Sequence, residues 1–312
     1  MTKQTHSPSS VAILLCSYEG EKYIEEQLTS ITSQTYPNWK VYISDDGSKD
    51  RTLRVIQKFK RRQKIHLEIY EGPKKGFSSN FISLTKRHEI KSTFYAWADQ
   101  DDIWNKRKLE KAVRWLNHQS SSRPLLYCSR TIFVDDMNRY IQPSPLFKKP
   151  KTFQNALVQN IAGGNTMIFN EKARQLFIKS SKNRKIFAHD WLMYQVITAC
   201  GGIVYYDEKP SLRYRQHANN AIGMNHNMKA KIKHLKLMWH GKYRVWNSQN
   251  IAALDQIYNH MTIQNQITFD HFKRLKKISL LKRFLFFKKS GIYRQTLLQN
   301  ISLVLTLLLN KI

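Results

Sequence analysis

Acidic side chains are scarce in this chain: 22 Asp and Glu stand against 52 Lys and Arg, a formal net charge of +30. That imbalance turns attention to polyanionic partners, which are nucleic acid, an anionic membrane or acidic substrates. Cysteine is almost absent. Cys16, Cys128 and Cys200 are too few and too scattered for a disulfide frame or a zinc site, and point to a reducing cytoplasm. Long apolar runs are missing as well. Met1 to Ser10 is polar and lacks the apolar core of a signal peptide, and the nine-residue run Ile301 to Leu309 is short of the roughly 20 residues a membrane-crossing helix needs. There is no internal repeat, no low-complexity tract and no RRM, KH or zinc-finger pattern. What remains, 312 residues of which 41% are apolar, can bury one substantial domain plus an appendage.

The few carboxylates are concentrated. Asp99-Gln100-Asp101-Asp102 follows the apolar stretch Phe94 to Ala98 and precedes Ile103-Trp104, which reads as a buried strand opening into an acidic loop. Carboxylate oxygens are the ligands that Mg²⁺ and Mn²⁺ prefer, so a divalent cation with a nucleotide diphosphate suits such a loop. A solvated turn would use the same residues.

Two other polar loops follow apolar runs in the same way. Val11 to Leu15 reads as a strand buried on both faces, breaking at Cys16-Ser17-Tyr18-Glu19-Gly20. A helix follows, with Tyr23, Ile24, Gln27, Leu28 and Ile31 at helical spacing and Pro37 beyond its end. Trp39 to Ile43 then leads into Ser44-Asp45-Asp46-Gly47-Ser48, with a second helix starting near Asp50 and Thr52. Strand, helix, strand, helix predicts a mostly parallel α/β sheet covered by helices. Ligands bind at the carboxyl ends of such strands, where Ser17, Asp45, Asp46 and Asp99 all fall.

Together with Gln34-Thr35-Tyr36-Pro37, these loops resemble the nucleotide-sugar-binding half of family 2 glycosyltransferases of the GT-A fold. Gly164-Asn165-Thr166, His189-Asp190-Trp191 and Tyr214-Arg215-Gln216-His217 resemble the acceptor half, particularly of rhamnosyltransferase-like members that build capsule, O-antigen or cell-wall polysaccharide. The likeness covers about residues 10 to 220. It implies that Cys16, Ser17, Tyr18, Glu19, Asp45 and Asp46 hold the nucleoside, with Lys75 and Asn80 near the nucleotide. A carboxylate is a strong acceptor for the imide N–H of uracil or thymine. The resemblance makes Asp99-Gln100-Asp101 the DXD motif, with Asp99, Asp101 and His217 toward Mg²⁺ or Mn²⁺, and Asp102 either a ligand or the N-cap of a helix over Asn105 to Leu116. Asp190 matches the general base of inverting transfer. It also stands where an N-capping Asp would, ahead of Trp191, Leu192, Tyr194 and Ile197. Asp102, Trp104, Gly164, Asn165, His189 and Trp191 fall in the region that relatives use for acceptor or donor sugar, and Thr166 to Phe169 reads as a further strand. Arg213 and Arg215 alternate onto one strand face, where they could offset diphosphate charge.

The resemblance implies a dTDP-rhamnose donor, with UDP-hexoses as the alternative, and a glycan acceptor carried on undecaprenyl diphosphate. Residues 1 to 220 are expected to form the catalytic domain. Residues 221 to 312, with 16 Lys and Arg against Asp255 and Asp270, are expected to form a basic helical region, joined near Gly223 and Asn225. Within it, His271 to Lys289 interleaves Phe272, Leu275, Ile278, Leu281, Phe284, Leu285 and Phe287 with basic residues. This is a helix suited either to the anionic inner surface of the cell membrane or to packing on the enzyme domain. A peripheral, cytoplasmic-face enzyme is the expectation. Nucleic-acid binding would explain the charge but not the acidic loops, since carboxylates repel phosphate unless a metal intervenes. A scaffold that keeps the fold without the chemistry is the remaining alternative, against which Asp99, Asp101, Asp190 and His217 stand.

Overall fold

The computed structural model describes residues 9–217, 242–275 and 279–309. The expected junction at Gly223 and Asn225 lies outside the described residues.

Among the described residues the strands form two sheets. The larger contains β1 (Val11–Ser17), β2 (Trp39–Asp45), β3 (Leu67–Glu71), β4 (Phe94–Asp99), β6 (Leu125–Ser129), β9 (Ile168–Asn170) and β10 (Ile203–Asp207), in the order β10-β6-β9-β4-β1-β2-β3. β1 pairs in parallel with both β2 and β4, and only β9 runs against its neighbours. Every residue of β1 is buried, which is why its sequence is continuously apolar up to Cys16. Helices α1 (Ile24–Thr32), α2 (Thr52–Gln63), α3 (Phe77–Lys86) and α4 (Lys108–Asn117) follow successive strands and cover the sheet, as the alternating pattern predicts. The fold is the expected mixed α/β type.

The second sheet was not anticipated. It joins β5 (Ile103–Trp104), β7 (Ile132–Val134), β8 (Tyr140–Pro143) and β11 (Leu212–Arg215) in the order β5-β11-β7-β8. Because β5 follows the acidic loop directly, that loop links the two sheets.

The expected strand from Thr166 becomes a 3₁₀ turn over Gly164–Thr166 followed by β9. α4 begins at Lys108, three residues later than expected, because the Asn105 N–H bonds the Ser211 carbonyl at 2.9 Å instead of entering the helix. Two helices, Ile263–Arg274 and Leu280–Ser290, stand where one basic amphipathic helix was expected. With Leu297–Leu308 they pack on the main core. Phe269, Phe272, Ile292, Leu303 and Leu307 are buried in one cluster with Trp97, Leu192 and Ile197 of the sheet and of α7 (His189–Ala199). No helix among the described residues is long and apolar enough to cross a membrane.

Candidate active site

The register of the large sheet brings three loops to one edge: Cys16 lies beside Ser44 and Asp99, and Ser17 beside Asp45. Each loop is then laced to the next by side chains. Asp45 accepts from Ser17 Oγ at 2.8 Å, Ser48 N at 2.8 Å and Ser48 Oγ at 2.7 Å, so its carboxylate shapes the loop around it. Asp46 accepts from the Lys74 and Gly76 backbone N–H groups at 2.6 and 2.8 Å and holds the segment carrying exposed Lys75. Asn80 is buried and bonded to Ser44, which makes it a packing link beneath the loops. Gln100 exchanges two bonds of 2.9 Å with the Tyr18 backbone. That contact needs Gly20, since a Cβ there would lie 2.1 Å from Gln100 Oε1. Glu19 accepts from Lys49 N at 2.8 Å. Tyr18 is 58% exposed, an aromatic face presented at the cleft edge. Burial, with Asp99 and Asp46 nearby, pushes the Cys16 thiol up, so it stays protonated.

The acidic loop is assembled by the small sheet. β11 runs antiparallel to β5, pairing Leu212 with Trp104 and Arg213 with Ile103, so the chain beyond Arg213 returns alongside the carboxylates. His217 Nε2 reaches Asp101 Oδ2 at 2.7 Å, and its ring stacks on Tyr23 at 5.2 Å. Arg213 and Arg215 differ in their surroundings. Arg213 is exposed and donates to Asn138, whereas Arg215 is buried. It donates to the Asp136 carbonyl at 2.6 Å, the Asp101 carbonyl at 3.2 Å and the Glu26 carboxylate. Its guanidinium is therefore a strut of the loop.

Asp102 caps no helix, because α4 begins beyond Arg107. It is buried, accepts from Asn165 Nδ2 at 2.7 Å, and its Oδ1 has no partner among the described residues. Burial, with Asp99 and Asp101 beside it, pushes its carboxyl up, and Asp99 is pushed up by burial and by Asp101 and Asp190. Lys108, fully buried, answers this charge. It donates to the Asn165 carbonyl and lies 3.7 Å from the Trp104 ring centroid, and burial lowers its pKa against the pull of Asp102 and Asp99. Sequence reasoning missed Lys108, placed Tyr23 only on a helix face, and offered Arg215 as an offset to diphosphate charge, whereas its bonds run to Asp101, Asp136 and Glu26. For Lys108 a signal existed, since it shares the apolar face of α4 with Ala112 and Leu116 at four-residue spacing.

No three metal-binding side chains converge among the described residues. A hard cation that keeps its waters and takes substrate phosphate oxygens needs only one or two carboxylates, and the unpartnered Asp102 Oδ1 beside Asp99 and Asp101 fits such a group.

Asp190 lies inside the first turn of α7, one residue past its start, while Ala188 occupies the capping position and makes no side-chain cap. The Asp190 carboxylate accepts from the Trp191 N–H at 2.7 Å, and burial pushes its pKa up to about 6, opposed by bonds from Trp191, Asn160 and Gly164. His189 is buried and stacked on Phe81 at 4.2 Å, with neither ring nitrogen partnered among the described residues, and burial lowers its pKa to about 3. Gly164 permits this packing, because a Cβ there would stand 2.6 Å from His189 Nε2. Asn165 therefore reaches the acidic loop through Asp102, Gly164 and His189 pack beside Asp190, and the Asp190 charge acts on Asp99, while Trp191 turns its indole to the Ala156 carbonyl.

A parallel-sheet edge with three interlocked polar loops, a carboxylate cluster and a separate buried carboxylate with a raised pKa is where an α/β fold of this kind places its ligand site. The glycosyl transferase family 2 model matches residues 12–177, and the chain belongs to that family. It is 33% identical over 258 residues to the dTDP-rhamnosyl transferase RfbG of Shigella flexneri, an alignment that covers 78% of this chain and 86% of the relative. Among solved structures it resembles S. aureus TarS in complex with UDP-GlcNAc, with a TM-score of 0.57 at 18% identity over 89% of this chain and 79% of that one. It also resembles the mannosyltransferase PcManGT of Pyrobaculum calidifontis in complex with GDP-Man and Mn²⁺, with a TM-score of 0.52 at 15% identity over 98% and 86% of the two chains. These likenesses place it in the GT-A fold.

Proposed function

We propose that this glycosyltransferase is an inverting enzyme that moves L-rhamnose from dTDP-rhamnose to a hydroxyl of a growing, lipid-linked cell-surface polysaccharide. The observation that carries the chemistry is the pairing of Asp190, buried with a pKa near 6, with the acidic loop of Asp99, Asp101 and Asp102. Asp190 takes the proton of the acceptor hydroxyl as its oxygen bonds to the anomeric carbon, and the bond to the nucleoside diphosphate breaks with its electron pair on the departing phosphate. A pKa near 6 leaves Asp190 ionised at neutral pH yet basic enough to hold that proton. One or two of the carboxylates Asp99, Asp101 and Asp102, with His217 bonded to Asp101, would hold Mg²⁺ or Mn²⁺, which would supply charge neutralisation at the diphosphate. Tyr18, Glu19 and the loops organised by Asp45 and Asp46 take the nucleoside. The resemblance to a dTDP-rhamnosyl transferase supports the donor.

The C-terminal surface supports a second part of the same reading, contact with an anionic membrane. Leu297, Leu298, Ile301, Leu305 and Leu308 are exposed along one side of the last helix, with exposed Phe284 and Leu285 and basic Lys282, Lys288 and Lys289 on the helix before it. Sedimentation with anionic vesicles measures that contact.

The donor assignment is tested by incubating the purified protein with dTDP-rhamnose or UDP-glucose and membrane-extracted lipid-linked acceptor, with Mn²⁺ or EDTA. Rhamnose transfer that is abolished by EDTA and by Asp190→Asn supports the reading. Full transfer by folded Asp190→Asn rejects the base, and transfer from UDP-glucose alone reassigns the donor.

A further inference from the structure

Beside Asp190, and separate from the nucleotide loops, a pocket of about 220 Å³ lies between α7 and the C-terminal helices. Trp191 and Trp246 line it, and Phe187 stacks on Trp246 with ring centroids 3.8 Å apart. The amides Gln159, Asn160 and Gln299 share the remaining wall with Val158 and Arg294. Gln159 Nε2 donates to Gln299 Oε1 at 3.2 Å, and Asn160 lines the same space while hydrogen-bonding the Asp190 carboxylate. Trp191 likewise touches both, since its backbone N–H holds the Asp190 carboxylate and its indole N–H is spent on the Ala156 carbonyl at 2.7 Å. The indole thus offers its apolar surface, without a free donor, to whatever enters.

Aromatic faces with neighbouring amides match a sugar ring, whose C–H face packs on an indole while its hydroxyls exchange hydrogen bonds with carboxamides. The volume admits one ring and not an extended chain. Arg294 also lines the pocket, but its Nε is bonded to the Val158 carbonyl at 3.1 Å. We infer that this pocket is a subsite for one uncharged sugar ring of the acceptor, held between Trp246 and the Gln159–Gln299 pair so that a hydroxyl faces Asp190. Because Trp246 and Gln299 come from beyond residue 241, the C-terminal region supplies acceptor specificity to a site whose chemistry lies in the first 217 residues. The inference rests on the transferase reading for the identity of Asp190.

The test is saturation-transfer NMR on the full chain with bound dTDP or UDP, using the methyl glycosides of rhamnose, glucose and N-acetylglucosamine up to about 50 mM, the range in which single rings bind protein sites. At least one glycoside is expected to bind, and Trp246→Ala and Gln299→Ala are each expected to weaken it by about tenfold or more. Nucleotide-induced thermal shifts should stay unchanged in both variants, which also shows that they are folded. Gln299→Ala carries the test if Trp246→Ala does not fold. Absence of any glycoside signal in wild type that binds nucleotide would overturn the subsite, as would binding that survives both substitutions. Displacement of the glycoside by inorganic phosphate at equal concentration would assign the pocket to an anion through Arg294 and overturn it too. Failure of the folded protein to bind any nucleotide would count against the transferase reading instead.

Discussion

At the scale of single residues, the site depends on two side chains that burial has altered and one that is missing. Asp190 has a carboxyl raised to about 6, so a proton stays bound to higher pH than on a free carboxylate. The base works only when ionised. The transfer rate is therefore expected to be flat above about pH 7 and to fall about tenfold per unit well below 6, with Asp190→Asn losing about 10²- to 10⁴-fold throughout. A pH profile of kcat on wild type and variant checks this. The stability linkage runs the other way: a raised carboxyl favours the folded state below the unfolded carboxylate range, and that contribution is lost as pH rises through 6. Gly164 is the missing side chain. Its neighbour His189 cannot swing aside, being stacked on Phe81 and set edge-on to Trp97 at 4.7 Å. Gly164→Ala is expected to cost about 1–3 kcal/mol of stability, as overpacking does, and to displace Asp190. Urea unfolding together with transfer assays would show a loss of rate in protein that remains folded. A fully active variant would remove the steric argument.

At the scale of elements, the acidic loop is held where β5, β11 and α1 meet, and Arg215 is the bolt. One planar guanidinium serves the Asp101 carbonyl, the Asp136 carbonyl and Glu26, and it lies 4.7 Å from the Tyr23 ring centroid. An ammonium cannot reproduce that fork, so Arg215→Lys is expected to lose about 1–3 kcal/mol and to weaken Mn²⁺-dependent nucleotide binding through the displaced loop. Calorimetric melting and nucleotide titration read the two effects, and unchanged values in both would show that Arg215 is not the anchor. The same elements show what sequence could and could not reveal. β1 and β4 were legible because strands buried on both faces carry unbroken apolar runs, β2 because Val41 to Ile43 is apolar, and the polar residues that end them mark the ligand edge. The small sheet was not, because β5 has two residues and β7 three, too short for any periodicity. Arg215 looked equivalent to Arg213 by alternation. Only packing against α1, distant in sequence, separates them. Asp45 and Asn80 were expected to face the nucleotide, and their hydrogen bonds within the loops became visible only in three dimensions.

At the scale of the whole molecule, the proposed membrane contact rests on how charge and apolar surface are distributed. The last helix buries Leu303 and Leu307 against the core and leaves Leu297, Leu298, Ile301, Leu305 and Leu308 on its other side. Arg283 ties this helix to its predecessor by donating to the Leu307 carbonyl at 3.0 Å, so the exposed leucines and the lysines of Leu280–Ser290 belong to one packed unit. Exposed apolar stripes of this extent mark a partner surface. A second copy of the chain would bring another +30 to the contact, whereas an anionic bilayer offers acyl chains to the leucines and phosphates to the lysines. Sedimentation with vesicles containing about one-third phosphatidylglycerol should therefore exceed that with neutral phosphatidylcholine vesicles by about tenfold or more, since each basic residue near the surface contributes about 1 kcal/mol. Raising the salt should release the protein as the Debye length shrinks to about 3 Å at 1 M. Leu297→Ser with Leu298→Ser removes the two most exposed apolar side chains of this helix, at 76% and 79%, without touching the buried face, and should weaken binding to anionic vesicles while leaving the melting temperature in place. Equal binding to neutral and anionic vesicles would remove the electrostatic argument. Unaltered binding by the double serine variant would move the contact away from the last helix, and with it the link between membrane docking and the acceptor pocket that Arg294 and Gln299 help to line.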